Sequence, residues 1–237
     1  MEPLLKNNQI IVELQEAMGS DRAIANAAWT SSFNKASREQ KTYEQVNQLV
    51  QRLAKDGHST PFESVVLRFW MRIPIFTDRQ IMTHRIASHN GLSGRYRTMP
   101  MDYYKIPEDV LEIFDKARQF KCSTDYLKNY QDSCELAVKN YQTALDSLKP
   151  LVVTKHITNE EYKRCREILR GQLPTAGMTE RTSIFNLRSF ANFQRLRNSE
   201  HAQPEIKQVA EMMLEEVKKA NICPIAIKAL QEKNWMI

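Results

Sequence analysis

The stretch Thr83-His84-Arg85-Ile86-Ala87-Ser88-His89-Asn90-Gly91-Leu92-Ser93-Gly94-Arg95 places two His, two Arg, two Ser and an Asn within thirteen residues. Such polar density directly after an apolar strand is costly unless a charged ligand offsets it. The turn Gly91-Leu92-Ser93-Gly94-Arg95 has the composition of an anion cradle. Gly91 and Gly94 allow backbone conformations that other residues resist, so successive N–H groups can converge on a phosphate. Ser93 adds a hydroxyl donor, and Arg95 a forked cation that matches phosphate oxygens. The competing reading is a helix C-cap at Asn90-Gly91 followed by a solvated loop.

A second polar segment spans 179–197, where Asn186, Arg188, Asn192, Arg195 and Arg197 sit among Ile184, Leu187, Phe190 and Phe193. Read as one helix, it puts Arg188 and Asn192 on one face at i,i+4, able to read ligand edges or simply to face solvent. His58-Ser-Thr60-Pro-Phe-Glu63 offers an imidazole that could stack on a planar ligand, or only a turn and an ion pair. His84 and His89 are five apart and fall on different faces of a helix, so a shared metal is not expected. The sequences H-E-x-x-H, G-x-S-x-G, G-K-[ST] and G-x-G-x-x-G are absent, which removes zincin, hydrolase, P-loop and Rossmann readings. Aromatic residues interleaved with basic ones leave nucleic-acid binding open, though no RNA-binding module is recognisable.

The elements that must position these residues are mostly helical. A first strand is expected over 9–14. Ser20 caps a short helix through Ile24, Ala27 and Ala28. Ser37 and Gln40 form a capping box for a longer helix with the stripe Tyr43, Val46, Leu49, Val50 and Leu53, closed by Asp56-Gly57. Residues 65–76 read as a strand, with Val65, Leu67, Phe69, Met71 and Ile73 alternating with Val66, Arg68, Trp70 and Arg72, and Pro74 marks an edge, an end or a bulge,. Thr77, with Gln80 in the capping-box position, opens the helix that carries the first motif. Pro107 starts another helix, 123–148 reads as a long amphipathic one stopped before Pro150, and Thr158 with Glu161 caps one ending near Arg170-Gly171. A last helix follows Pro204 with Ile206, Val209, Met213, Leu214 and Val217 on one face. The expected fold is α+β, a modest mixed sheet surrounded by many helices, in a single domain over 1–237.

Among 237 residues, 42% are hydrophobic and 26% charged, ordinary for a soluble globular chain. A net charge of +6 favours anionic partners,. Cys122, Cys134, Cys165 and Cys223 form no C-x-x-C pair, so neither a disulfide framework nor a zinc site is expected. The N-terminus lacks a signal-peptide core and no apolar run approaches a membrane span, so a cytoplasmic protein is expected.

Taken together, these residues resemble the flavin-dependent thymidylate synthases. The signature R-H-R, seven residues, then S-G-R-Y is matched by Thr83-His84-Arg85 and Ser93-Gly94-Arg95-Tyr96. The segments His58-x-Thr60-Pro61-Phe62-Glu63, Pro74-Ile75-Phe76 with Arg79-Gln80, Arg170-x-x-Leu173-Pro174, Asn186-x-Arg188-Ser189, Asn192-Phe193, Leu196-Arg197 and His201-Ala202-Gln203 are similar as well. The resemblance implies a homotetramer with active sites between subunits, and methylation of dUMP at C5. Methylenetetrahydrofolate gives the carbon, and FAD reduced by NADPH supplies the hydride. It implies dUMP contacts from Gln80, Thr83, Arg170 and a partner-contributed loop of Gly91, Leu92, Ser93, Gly94 and Arg95. Arg197 takes the place of the arginine on the uracil, favouring ionisation at N3. The flavin set becomes Ser31, Thr60, Thr83, His84, Arg85, Gly91, Asn186, Arg188 and Asn192, with His58 near the folate and flavin rings.

Two departures stand out: Thr83 replaces the first signature Arg, and Gly91 replaces a common Glu. Losing one charge-assisted contact costs about 1.5–3 kcal/mol. The two losses are opposite in charge and can compensate one another. They leave room for another pyrimidine nucleotide such as dCMP, for a hydroxymethyl product, or for a non-catalytic nucleotide- or RNA-binding homologue.

Overall fold

The computed structural model describes residues 10–119 and 125–236. Gln9, Cys122, the start of the expected long helix and the N-terminal stretch read for a signal peptide lie outside the described residues. Strand β1 (Ile11–Met18) leads to α1 (Asp21–Trp29), α2 (Lys35–Glu39) and α3 (Tyr43–Lys55). Then come β2 (Val66–Pro74), α4 (Ile75–Ile81) and β3 (Ser88–Gly91). Three helices follow, α5 (Glu108–Gln119), α6 (Tyr126–Val153) and α7 (Asn159–Leu169). Strand β4 (Met178–Asn186) and helices α8 (Leu187–Arg197), α9 (Pro204–Lys219) and α10 (Pro224–Glu232) complete the chain. This is the expected α+β class, with helices outnumbering four strands in the order β1-β2-β4-β3.

The sheet is antiparallel rather than mixed. Ile75 N–H donates to the Gly177 carbonyl at 3.0 Å and Leu187 N–H to that of Val65 at 2.9 Å, so β2 and β4 pair head to tail. Along β2 the expected alternation holds: Leu67, Phe69, Met71 and Ile73 are fully buried while Val66, Arg68, Trp70 and Arg72 are half-buried. Pro74 marks its end.

Several expected helices are redrawn. The capping box belongs to Thr42 and Gln45, not Ser37 and Gln40, and Asn34 caps the short α2 separately. Thr42 wins because it directly precedes the residues whose apolar face, Val46, Val50 and Leu53, is buried,. The helix that was to carry the first motif starts at Ile75 and stops at Ile81. Residues beyond it turn and enter β3, and just past that strand Leu92 N–H donates to the Glu180 carbonyl at 2.9 Å. The free edge of β4 thus outcompetes the local helix signal, and no C-cap forms at Asn90-Gly91. The segment 179–197 is strand and then helix: Thr179, Arg181, Ser183 and Phe185 alternate into the interior, and Asn186 accepts from Ser189 N–H as the cap of α8. Pro150 lies inside α6, which runs on to Val153. A proline loses its own N–H and crowds the carbonyl four residues back, but here only Leu151, Val152 and Val153 follow it, so the disturbance falls on the last turn.

The chain divides into two compact units, one containing Arg72–Arg79 and Gly91–Arg181, the other Ile11–Met71, Gln80–Asn90 and the segment from Thr182 onward. The second unit buries Phe62, Phe69, Phe190, Phe193, Ile206 and Met213 completely, with Phe69 and Phe190 stacked at 5.7 Å. In the first, Phe76 meets Tyr104 edge-on at 5.6 Å, and Arg181 grips Asp78 through Nε and Nη2. No helix among the described residues is long and apolar enough to cross a membrane.

Candidate active site

In the unit built from Ile11–Met71, Gln80–Asn90 and the C-terminal helices, a cleft of about 860 Å³ is lined by α8, the turn after α4, and Ser59, Glu63 and Trp235. Helix α8 supplies the lining because its faces divide cleanly. Phe190, Phe193 and Gln194 are buried, while Arg188, Asn192 and Arg195 are exposed. Arg188 bonds the Glu63 carboxylate at 2.7 Å, and Arg195 Nη2 donates to Asn192 Oδ1 at 3.0 Å. Of the cleft's cations, Arg85, Arg188, Arg195 and Arg197, only Arg188 has the lining carboxylate Glu63 as its partner.

At the end of α8, Arg197 Nε donates to His84 Nε2 at 2.9 Å and Nη2 donates to Thr83 Oγ1 at 2.9 Å. Thr83 in turn donates to the Gln80 carbonyl at 2.7 Å. An imidazole that accepts at Nε2 carries its proton on Nδ1. Burial, then the charges of Arg197 and His89, push the His84 pKa down to about 4. His84 is therefore neutral near pH 7, and no carboxylate among the described residues forms an ion pair with Arg197. The ring rests edge-on against Phe193 at 4.8 Å. His89 does not fall on an opposite helix face. Its Nδ1 lies 2.9 Å from Ser183 Oγ and its Nε2 lies 3.2 Å from the His84 carbonyl. The helix on which that expectation rested does not form, because this segment is turn and strand. Among the described residues no group of three or more His, Cys, Asp or Glu stands ready for a metal.

The loop 91–95 and Arg170 belong to the other unit. Neither Gly91 nor Gly94 takes a positive φ, which among the glycines occurs only at Gly19 and Gly57. Gly94 is closely packed instead: a Cβ there would lie 2.7 Å from Cδ of the exposed Arg170, whose side chain would have to shift. At Gly91 the nearest atom is 3.5 Å away, an ordinary contact. The N–H groups of the loop do not simply converge, since Leu92 N–H is used by Glu180 and Arg95 N–H by Ser93 Oγ at 3.3 Å. Arg95 Nε donates to Glu167 at 2.6 Å.

The remaining expected residues lie as follows. Gln80 Nε2 donates to Gln203 at 2.6 Å. Ser31 is exposed in the turn after α1, its hydroxyl donating to the Ala28 carbonyl at 3.1 Å. His58 and Thr60 line a separate cleft of about 590 Å³ with Trp29, Arg52 and Asp56, and Ser59 lines both clefts. Sequence reasoning missed Trp235, which no motif marks, and the contacts of Arg166 and Glu167 with the loop, which only folding creates.

The family model for thymidylate synthase complementing protein matches residues 13–225. A flavin-dependent thymidylate synthase from Thermotoga neapolitana is 36% identical over 199 residues, covering 84% of this chain and 81% of its own length. One from Pseudothermotoga lettingae is 31% identical over 213 residues, covering 90% of this chain and 86% of its own. The crystal structure of the UMP/dUMP methylase PolB from Streptomyces cacaoi with 5-Br dUMP superposes with a TM-score of 0.74 at 26% identity, covering 96% of this chain and 97% of that one. With the arginine-lined cleft and the ordered motifs that frame it, these matches place the chain in the family of flavin-dependent thymidylate synthases.

Proposed function

We propose that this chain methylates a uracil nucleotide at C5, converting dUMP to dTMP, with methylenetetrahydrofolate as carbon donor and NADPH as reductant of a bound FAD. The observation that carries the reading is Arg197, anchored at the cleft by a neutral histidine and a hydroxyl rather than by a carboxylate. A cation held this way stabilises negative charge developing on the pyrimidine, which makes C5 the better nucleophile. A carboxylate partner would cancel much of that field. The contacts described use Nε and Nη2, and a guanidinium has five N–H donors.

The cleft fits a flavin dinucleotide. Its volume of about 860 Å³ lies in the range of cofactor pockets, and Arg85, Arg188 and Arg195 suit a pyrophosphate while Asn192 can meet the ring edges. When bound and reduced, the flavin supplies the hydride. The residues assigned to it are Ser31, Thr60, Thr83, His84, Arg85, Gly91, Asn186, Arg188 and Asn192, with His58 toward the folate. Gln80, Thr83, Arg170 and the loop 91–95 are assigned to the nucleotide. The reading includes a cytoplasmic homotetramer in which residues 1–237 act as one functional domain, and light scattering tests its mass.

UMP is a second candidate substrate, because the superposing PolB is a UMP/dUMP methylase. Anaerobic incubation with FAD, NADPH, methylenetetrahydrofolate and a mixture of dUMP, UMP and dCMP, read by mass spectrometry, decides among them. Formation of dTMP supports the primary reading. A methylated UMP, a modified dCMP or a hydroxymethyl product replaces the substrate or product. No nucleotide product from FAD-loaded protein leaves a binding-only homologue.

A further inference from the structure

Helix α7 and the turn just past it meet the loop 93–95 through Arg166, Glu167 and Arg170, and the first two carry no assigned role. Arg166 Nη2 donates to the Arg95 carbonyl. Glu167 Oε1 accepts from Arg95 Nε at 2.6 Å, while its Oε2 accepts from Arg164 at 3.0 Å. Arg170, one turn beyond Arg166, packs against Gly94, where an added Cβ would lie 2.7 Å from its Cδ. Arg166 is only 9% exposed, and its Nε has no hydrogen-bond partner among the described residues. Arginine is seldom buried unless paired, and this one has no carboxylate contact among the described residues: it holds the Arg95 carbonyl and lies over the Tyr162 ring at 5.8 Å, a costly placement for a charge,. Glu167 takes only the Nε edge of Arg95, so its contact leaves the terminal nitrogens, the pair that matches phosphate oxygens, outside that bond.

We propose that α7 is the scaffold of a phosphate subsite, in which Arg166 fixes the backbone of the loop 93–95 and Glu167 aims the Arg95 guanidinium at the phosphate of a nucleoside monophosphate. Both are positioning residues. The inference rests on the reading that this loop receives the nucleotide. Glu167 acts as a brace rather than as a competitor for Arg95, since it is itself shared with Arg164 and so carries less net negative field toward an incoming anion.

The test is calorimetric titration of the FAD-loaded protein with dUMP and, separately, with deoxyuridine, which lacks the phosphate. The wild type is expected to favour dUMP. Arg166→Met should lose about tenfold in dUMP affinity, as for one lost charge-assisted contact, while deoxyuridine binding stays unchanged. Arg166→Lys should recover part of the loss, and Glu167→Ala should lose about threefold, the scale of a partly exposed contact. Equal weakening of dUMP and deoxyuridine, or unchanged discrimination in Arg166→Met, would overturn the proposal. Should Arg166→Met not fold, unchanged discrimination in Glu167→Ala overturns it instead. A wild type that binds both ligands equally defeats the underlying nucleotide reading, and that failure is visible before any variant is made.

Discussion

At the scale of single residues, Thr83 exchanges a cation for a hydroxyl that both accepts from Arg197 and donates to the Gln80 carbonyl. Its effect is therefore on the orientation of Arg197 more than on local charge. Thr83→Val keeps the shape and removes both bonds. Hydrogen bonds to charged groups contribute about 1.5–3 kcal/mol when sheltered, and Thr83 is exposed, so a loss of about three- to tenfold in kcat/KM is expected. Thr83→Ser should stay near wild type; a Val variant as active as the Ser variant would remove the hydroxyl from the mechanism. His84 gives a second prediction. Its pKa is lowered to about 4 from 6.5, first by burial and then by Arg197 and His89. Between those values the unfolded chain binds a proton that the folded one refuses, so stability falls as pH drops from 6.5 toward 4,. Melting curves of wild type and His84→Gln should converge or cross over that window, the wild type losing more. Parallel pH dependences would show that His84 does not titrate as described.

At the scale of elements, the joint between α1 and α10 shows how a cap can come from far away in sequence. Cys223 stands at the N-cap of α10 in a left-handed conformation, with φ of 47°, and offers no capping bond. Asp21 does so instead, accepting from Ile225 N–H at 3.2 Å and Ala226 N–H at 2.8 Å. Burial raises its pKa against the opposing pull of those two bonds. Asp21→Ala should cost about 1–2 kcal/mol in urea unfolding, the upper range for a lost cap. Asp21→Asn, which retains one acceptor, should cost less than half of that. If Ala and Asn prove equally mild, the tertiary cap contributes nothing. No local pattern announces this bond, whereas Ser20, Thr158 and the alternation of β2 are legible because each signal lies within a few residues of its effect. The same contrast explains the misread segment 179–197. Ile184, Leu187, Phe190 and Phe193 recur every three residues and suggest one helix, yet Ile184 is 37% exposed and Phe185 is buried. The true strand signal was polar, with Arg181 and Ser183 turned inward, Arg181 onto Asp78 and Ser183 toward His89. Of the candidate site, the residue types on α8 and in the Thr83-His84-Arg85 turn were readable. The bond between His84 and Arg197, 113 residues apart, was not, because only the fold brings them together.

For the whole molecule, the net charge of +6 is better understood unit by unit than as an average. One unit gathers Arg85, Arg188, Arg195 and Arg197 on a cleft where, among the described residues, Glu63 is the one lining carboxylate. The other sets Arg95, Arg166 and Arg170 around a loop where Glu167 is shared between two arginines. Arg85, Arg95, Arg170, Arg188 and Arg195 are all exposed, so mobile ions reach them. Exposed charges farther apart than the Debye length, about 10 Å at 0.1 M salt and about 3 Å at 1 M, cease to act together. A phosphate drawn by several such cations should therefore bind more weakly as salt rises, while an uncharged nucleoside should not respond. The expected result is a KM for dUMP that climbs several-fold between about 0.05 M and 0.5 M NaCl, with kcat nearly constant. The constancy of kcat matters, because Arg197 acts at close range from a half-buried position where screening is weak,. A kcat that falls in step with the rise in KM would place the salt-sensitive charges at the reacting ring rather than on the phosphate, and would return the division of labour between Arg197 and the outer arginines to question.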